Sequence, residues 1–174
     1  MARPILNIDE VEAIPLDVLN RQYGGKPMPA KFGGALAPIG QRLGAQKLGY
    51  NLTSVPPGMH AFPFHAHRVN EEMFFVVEGT GELRIGHETW PIRAGDVICC
   101  PPGGPEAAHQ IANTGEATLR YLAVSTSQTP EICEYPDSGK FAVMHAAGKD
   151  ADGKPQGFRH VGRPDDGRDY WDGE

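Results

Sequence analysis

Four side chains near the middle of this chain are of the types that hold a divalent transition metal: His65, His67, Glu72 and His109. His65 and His67 stand two residues apart, so on an extended strand both imidazoles project to one face. Glu72 follows a short turn over Arg68-Val69-Asn70-Glu71 and opens the apolar run Met73-Phe74-Phe75-Val76-Val77. His109 comes later, behind a second Gly/Pro-rich turn. Imidazoles with a carboxylate form a hard-to-borderline donor set that suits Fe, Mn, Ni, Zn or Co, and not Ca or Cu(I). Four protein ligands leave one or two positions for water, substrate or dioxygen, as metal catalysis requires. A His-x-His pair alone on a strand is more often structural; the four residues together point to a metal. Glu71 competes with Glu72 for the carboxylate role, and the spacing to the glycines around it favours Glu72.

The elements that must bring these residues together read as short strands. Gly 22 and Pro 16 make up roughly twice an average share of the chain. They cluster between apolar runs, at Pro56-Pro57-Gly58, Gly79-Thr80-Gly81 and Pro101-Pro102-Gly103-Gly104, which is the punctuation of an all-β sandwich or barrel. The chain divides into an N-terminal arm (1–43), a strand-rich barrel (44–127) and a C-terminal extension (128–174) packing on the barrel. Within 44–127, strands are expected at Leu48–Leu52, Phe62–His67, Glu72–Val77, Glu82–Ile85, Thr89–Ile92, Asp96–Cys100, His109–Asn113 and Leu119–Ser125. Eight or more strands without a long helix fit a jelly roll. In the run after Glu72 the apolar residues do not alternate with polar ones. Phe74 and Val76 share the inward face with Glu72, so Met73, Phe75 and Val77 point outward. The terminal arms or a partner subunit must cover them, and a homodimer is expected.

Composition excludes several function classes. The net charge of -6, with no long Lys/Arg run, argues against binding nucleic acid or an anionic membrane surface. Acidic residues interrupt the N-terminal stretch where a signal peptide needs an apolar run, and no apolar run approaches the roughly 18–20 residues of a membrane span. Three cysteines, Cys99 and Cys100 adjacent and Cys133 apart, make a poor disulfide framework. A cytoplasmic protein is expected.

The segment from Gly58 to Gly79 resembles the first motif of the cupin superfamily, Gly-x(5)-His-x-His-x(3,4)-Glu-x(6)-Gly. Here six residues separate Gly58 from His65, and the remainder fits through Glu72 and Gly79. The segment from Gly95 through Pro101, Gly103 and His109 to Asn113 resembles the second motif, with five residues between Gly103 and His109 where the family usually has two. That insertion lengthens the loop ahead of the third histidine. The resemblance covers about the central half of the chain. It implies a single-domain, type 2 cupin: a jelly-roll β-barrel with N- and C-terminal extensions, its metal held by His65, His67, Glu72 and His109. The superfamily includes dioxygenases, isomerases, decarboxylases, hydrolases and plain binding proteins, and fold alone does not choose among them. The expectation is one divalent transition metal (Fe, Mn, Zn or Ni) in an enzyme of dioxygenase or isomerase type. Its substrate would be a small organic molecule, carbohydrate-like or an oxygen-rich or aromatic acid. The alternatives are a non-catalytic small-ligand binder and a structural metal site.

Strand alternation proposes the rest of the pocket. Phe74 and Val76 follow Glu72; Ile111 and Asn113 share a face with His109; Tyr50 and Tyr121 belong to the sheet. Apolar, aromatic walls with a few polar groups are the usual ligand site. Phe62 and Phe64 lie on the face opposite the histidines and are expected to pack against an arm. Asn113 is the candidate to hold a free imidazole N–H. No catalytic acid or base can be assigned; Glu106 is the acidic residue near His109 in sequence. His60 is a minor candidate for lining the site, and Arg84, Arg93 and Arg120 are expected to be exposed strand arginines. Tyr170 and Trp171 are expected to dock the tail on the barrel, with a lid role as the alternative.

Overall fold

In the computed structural model, residues 4–22, 24–152 and 154–174 are described. The chain runs through β1 (Ile14–Pro15), α1 (Leu16–Gln22), β2 (Ala35–Ala37), α2 (Ile39–Leu43) and β3 (Leu48–Val55). The central strands are β4 (Ala66–His67), β5 (Glu72–Glu78), β6 (Thr80–Ile85), β7 (Glu88–Arg93), β8 (Val97–Cys100), β9 (His109–Ala112) and β10 (Leu119–Thr126). The C-terminal segment adds β11 (Glu131–Tyr135), β12 (Lys140–Lys149) and β13 (Pro155–Gly162).

One six-stranded sheet has the order β1-β2-β3-β10-β5-β8; a four-stranded sheet runs β13-β12-β11-β4, and a three-stranded one β7-β6-β9. The apolar faces of the six-stranded and three-stranded sheets close on a shared core. Val55, Phe74, Val76, Ile98, Leu119, Tyr121 and Ala123 come from the first sheet, and Leu83, Ile92 and Ile111 from the third. Alternation along β10 shows how sequence sets this: Leu119, Tyr121 and Ala123 are buried while Arg120, Leu122 and Val124 are half-buried on the other face. Alternating burial on antiparallel strands is what a sheet with one core face demands. The fold is all-β, a jelly-roll barrel.

The N-terminal arm does two jobs. Leu16, at the start of α1, joins the core with Leu19, Met28 and Met59 packed against it. Leu6, Ile8, Val11, Ala37, Ile39 and Leu43 form a second cluster over the outer side of the sheet, covering Leu52, Val77 and Leu122. The arm therefore covers one of the three outward residues of β5. Phe75 stays exposed, next to its cross-strand partner Val97 on β8.

The extension 128–174 forms a sheet with β4. It supplies three strands, and β11 pairs with β4 so that Cys133 lies opposite His67. Its C-terminal end does not dock: Tyr170 and Trp171 are 84% and 71% exposed and pack edge-to-face on each other.

Candidate metal site

Glu72 Oε2 stands at the centre of three imidazoles. His109 Nε2 lies 3.0 Å from it, His67 Nε2 3.3 Å and His65 Nε2 3.7 Å. Each residue arrives on a different device. His65 precedes β4 and makes an isolated antiparallel bridge with His109, the first residue of β9; reciprocal backbone bonds, His65 N to His109 O and His109 N to His65 O, lock that pair. His67 ends β4, and Glu72 opens β5 on the same inward face as Phe74 and Val76. Glu71 points away, its carboxylate 3.7 Å from the Cys99 thiol.

The loop before His109, with five residues between Gly103 and His109, is well tied. Gly103 N donates to His67 O, and Gly86 N in the β6–β7 turn donates to Ala108 O. A Cβ on Gly86 would stand 2.8 Å from Glu106 O, so a glycine there lets loop and hairpin meet. The insertion braces His109 rather than displacing it. Glu106 itself is turned outward; a bond to its own backbone N–H, then the one from Gly104 N to its Oε1, holds its carboxyl below the usual range. It does not serve the site as a base.

The back of each ring differs. His65 Nδ1 is 2.8 Å from Pro63 O; a carbonyl only accepts, so Nδ1 carries the hydrogen and Nε2 is left with its lone pair. His67 Nδ1 lies 3.4 Å from Cys133 Sγ and 3.5 Å from Glu131 Oε2. Among the described residues His109 Nδ1, which is buried, has no hydrogen-bond partner.

Titration follows these surroundings. Burial, then the neighbouring His109 ring, lowers the His65 pKa to about 4, so that ring is neutral at pH 7. Burial disfavours the charged form of His67 too, but contacts with Cys133 and Glu72 outweigh it and push the pKa up to about 10. For Glu72, burial would raise the pKa, but bonds from His109 and His67 prevail and hold the carboxyl well below the usual carboxylate range.

These residues fit a transition-metal ion. Atoms bound at about 2.1 Å to one ion stand about 3–3.5 Å apart, which is the spacing from Glu72 Oε2 to the nearer imidazoles. His65, His67 and Glu72 each offer one ligand atom, and these atoms lie within 4.8 Å of one another. A His65 lone pair aimed at a carboxylate oxygen is two acceptors face to face, an arrangement that a cation between them converts from repulsion to attraction. His109 lies outside that tighter trio, joined through Glu72.

A cavity of about 20 Å³ adjoins His65 and His109, walled by Phe62, Phe74, Gln110, Ile111 and Tyr121. That is room for little more than one water molecule. Of the six pocket candidates, Phe74, Ile111 and Tyr121 line it. Val76 is fully buried in the core behind. Tyr50 is not at the site: it belongs to the outer cluster under the N-terminal arm, because Leu48, Tyr50 and Leu52 occupy the outward face of β3. Asn113 is also elsewhere in function. Its Nδ2 donates to Val55 O at the end of β3 and to Ala117 O, and its Oδ1 accepts from Gly115 N, so its polar atoms tie the turn after β9 to β3 and none reaches an imidazole.

Phe62 was expected to face away. The segment before β4 is not a regular strand, so alternation fails there and Phe62 turns to the cavity. Phe64 is buried with Ala66 and Ala108 under the Arg84 guanidinium, 3.7 Å from its ring centre. Arg84 also pairs with Asp137, and Arg120 with Glu78 and Asp9; neither reaches inward. His60 bridges the backbones of Phe32 and Ala112 and stands outside the cluster.

A jelly-roll barrel carrying a three-histidine, one-carboxylate cluster on its inner face defines the class. Residues 51–125, the segment that carries all four residues of the cluster, match the family model of the cupin domain. Over 70 residues it is 36% identical to an oxalate-binding protein of Thermotoga maritima, covering 40% of this chain and 54% of that one. Over 71 residues it is 34% identical to an uncharacterised protein of Methanocaldococcus jannaschii, covering 41% and 54%. The chain thus spans about half the length of these curated relatives. Among solved structures it is similar to a sugar phosphate isomerase of the cupin superfamily from Silicibacter pomeroyi. The two superpose with a TM-score of 0.70 at 24% identity, covering 97% of this chain and 98% of the other, a likeness of fold. Among the described residues no helix is long and apolar enough to cross a membrane.

Proposed function

We propose that this chain is a metal-dependent cupin enzyme acting on a small oxygen-bearing organic molecule. His65, His67, His109 and Glu72 would hold one divalent transition-metal ion (Fe, Mn, Zn or Ni). The observation that carries this is the convergence of three Nε2 atoms on one carboxylate oxygen, with two of the rings braced from behind. When bound, such an ion supplies Lewis-acid polarisation of a carbonyl or enediol oxygen, or a place for dioxygen beside the substrate. The chain's residues supply the rest. Pro63 O and the Cys133–Glu131 pair orient the two rings of the His-x-His pair, and the bridge between His65 and His109 keeps their spacing fixed. Phe62, Phe74, Ile111 and Tyr121 shield the site from water, which strengthens every electrostatic contact inside it.

The narrow cavity supports a ligand of few atoms, an oxygen-rich acid ahead of a carbohydrate, and the name of the Thermotoga maritima relative is in keeping with that. A second reading, a binder that leaves its ligand unchanged, is favoured by one observation. Among the described residues lining the cavity, no carboxylate or amine stands ready as an acid or base. The metal-loaded protein mixed with oxalate and with small 2-oxo and 2-hydroxy acids separates these. Product formation or oxygen uptake supports the enzyme. A raised melting temperature with unchanged ligand supports the binder. No response to any of them rejects the small-acid substrate class.

A homodimer and a cytoplasmic location complete the proposal. The exposed cross-strand pair Phe75 and Val97, the latter 70% exposed, supports the first, and the free state of Cys99, Cys100 and Cys133 supports the second.

A further inference from the structure

Behind His67, on the side away from Glu72, β11 presents a second group of metal-binding type. His67, Glu131 and Cys133 offer ligand atoms within 4.8 Å of one another. Glu131 and Cys133 lie beyond the residues that match the cupin domain, and both are buried.

The hydrogen bonds show that this group is not a second metal site. Glu131 Oε1 accepts from Val69 N at 3.2 Å and Ile132 N at 2.8 Å. Oε2 accepts from Asn70 N at 2.9 Å and from the Asn70 side-chain amide. A carboxylate has about four acceptor positions, and four N–H groups fill them. Asn70 is anchored in turn: its Oδ1 accepts from Thr126 Oγ1 and Gln128 N. Glu131 is therefore a fixed acceptor group with no free lone pair for a metal.

What remains is its effect on His67. At 3.5 Å Oε2 is beyond hydrogen-bond distance from Nδ1, but its negative charge favours a hydrogen on the nitrogen facing it. Cys133 Sγ, at 3.4 Å, is within reach to accept that hydrogen. The strand carrying both residues is held in register on β4: Cys133 pairs with His67, Arg68 N donates to Ile132 O, and the Arg68 guanidinium binds Glu134 Oε1 at 2.7 Å and 2.6 Å.

We propose that Glu131 and Cys133 are positioning residues for the metal site: they hold His67 with its hydrogen on Nδ1, so that Nε2 presents its lone pair beside Glu72. On this view the C-terminal extension is part of the site and not an appendage to the barrel. The inference rests on the metal reading above.

Wild type, Glu131→Gln and Cys133→Ala are compared by competition for Zn²⁺ against a chelator, and by the ¹H–¹⁵N resonance of His67 Nδ1–H in the Zn²⁺-loaded proteins. Loss of an outer partner of a metal-bound histidine typically costs about 10–100-fold in affinity. That loss is expected for Glu131→Gln, with the Nδ1–H signal shifted or exchanged away, and a smaller loss in the same direction for Cys133→Ala. The second variant removes only a small buried group and stays informative if the first fails to fold. Wild-type affinity in both variants, or in Cys133→Ala alone should the other not fold, with the Nδ1–H signal unmoved, overturns the positioning role. A wild-type protein that takes up no Zn²⁺ is a separate outcome: the metal reading fails first and this inference falls with it.

Discussion

His67 and His109 face the same oxygen of Glu72 from 3.3 Å and 3.0 Å, yet the structure treats them differently. His67 has a buried carboxylate and a thiol behind it, delivered by a strand outside the matched domain. His109 is 3% exposed, is fixed by its backbone bridge to His65, and among the described residues has no hydrogen-bond partner at Nδ1. One ligand is oriented through its ring, the other through its strand. The difference teaches where the site is sensitive. Changes near His67 should be felt in metal affinity, and changes near His109 in the stability of the β9 region.

The largest expected effect is that of His67→Ala. It removes a ligand and leaves the Glu131 carboxylate beside an apolar hole, so metal affinity should fall by more than the roughly 10–100-fold that loss of an outer partner costs. His109→Ala leaves the tighter trio of His65, His67 and Glu72 intact and should cost less. Chelator competition on both variants checks the order, and equal losses would remove the distinction between the two sides.

Asn113→Ala tests the other half of the comparison. Asn113 is 1% exposed, and its loss strands Val55 O, Ala117 O and Gly115 N. A buried unpaired group costs about 1–3 kcal/mol, so with three groups stranded a loss of at least about 3 kcal/mol is expected by chemical denaturation. Metal affinity per folded molecule should stay within a few-fold of wild type. A large affinity loss at unchanged stability would mean that Asn113 acts on the metal site after all.

The pH dependence of metal uptake follows from His67. With its pKa pushed up to about 10, the metal-free ring holds at pH 7 a proton that a metal must displace. Uptake should then release close to one proton, and affinity should rise about tenfold per pH unit toward pH 10. Glu72 and His65 are shifted the other way. They are already deprotonated at pH 7 and weaken binding only as the pH falls through the acid range, toward about 4 for His65. Calorimetry in buffers of different ionisation enthalpy counts the protons.

Much of the barrel was legible because its strands alternate. The expected strands from Leu48 to Ser125 fall on β3 through β10, and the inward order Glu72-Phe74-Val76 holds because β5 is regular. Alternation failed where the backbone is not a strand. Before β4 the chain bends, so Phe62 lines the cavity although simple parity pointed it outward. The extension was illegible for a different reason. Its strands carry no clean apolar period, and β13 is almost wholly exposed, so burial leaves no mark on the residue order. Glu131 shows the limit most clearly: it meets His67 across 64 positions through the β4–β11 register, and no local pattern encodes that. For Asn113 a signal did exist. Asn113-Thr114-Gly115 is an Asx-turn sequence, in which the side chain bonds its own backbone two residues on, and that local demand took precedence over any bond to an imidazole.

The measurement that tests the central claim most directly is metal content, by mass spectrometry, of untagged protein beside a His65→Ala/His109→Ala variant, each as purified and after reconstitution. About one equivalent of a transition metal in the wild type, lost in the variant, is the expected result. Wild-type protein that holds no metal even after reconstitution, or a variant that retains it, would contradict the four-residue site.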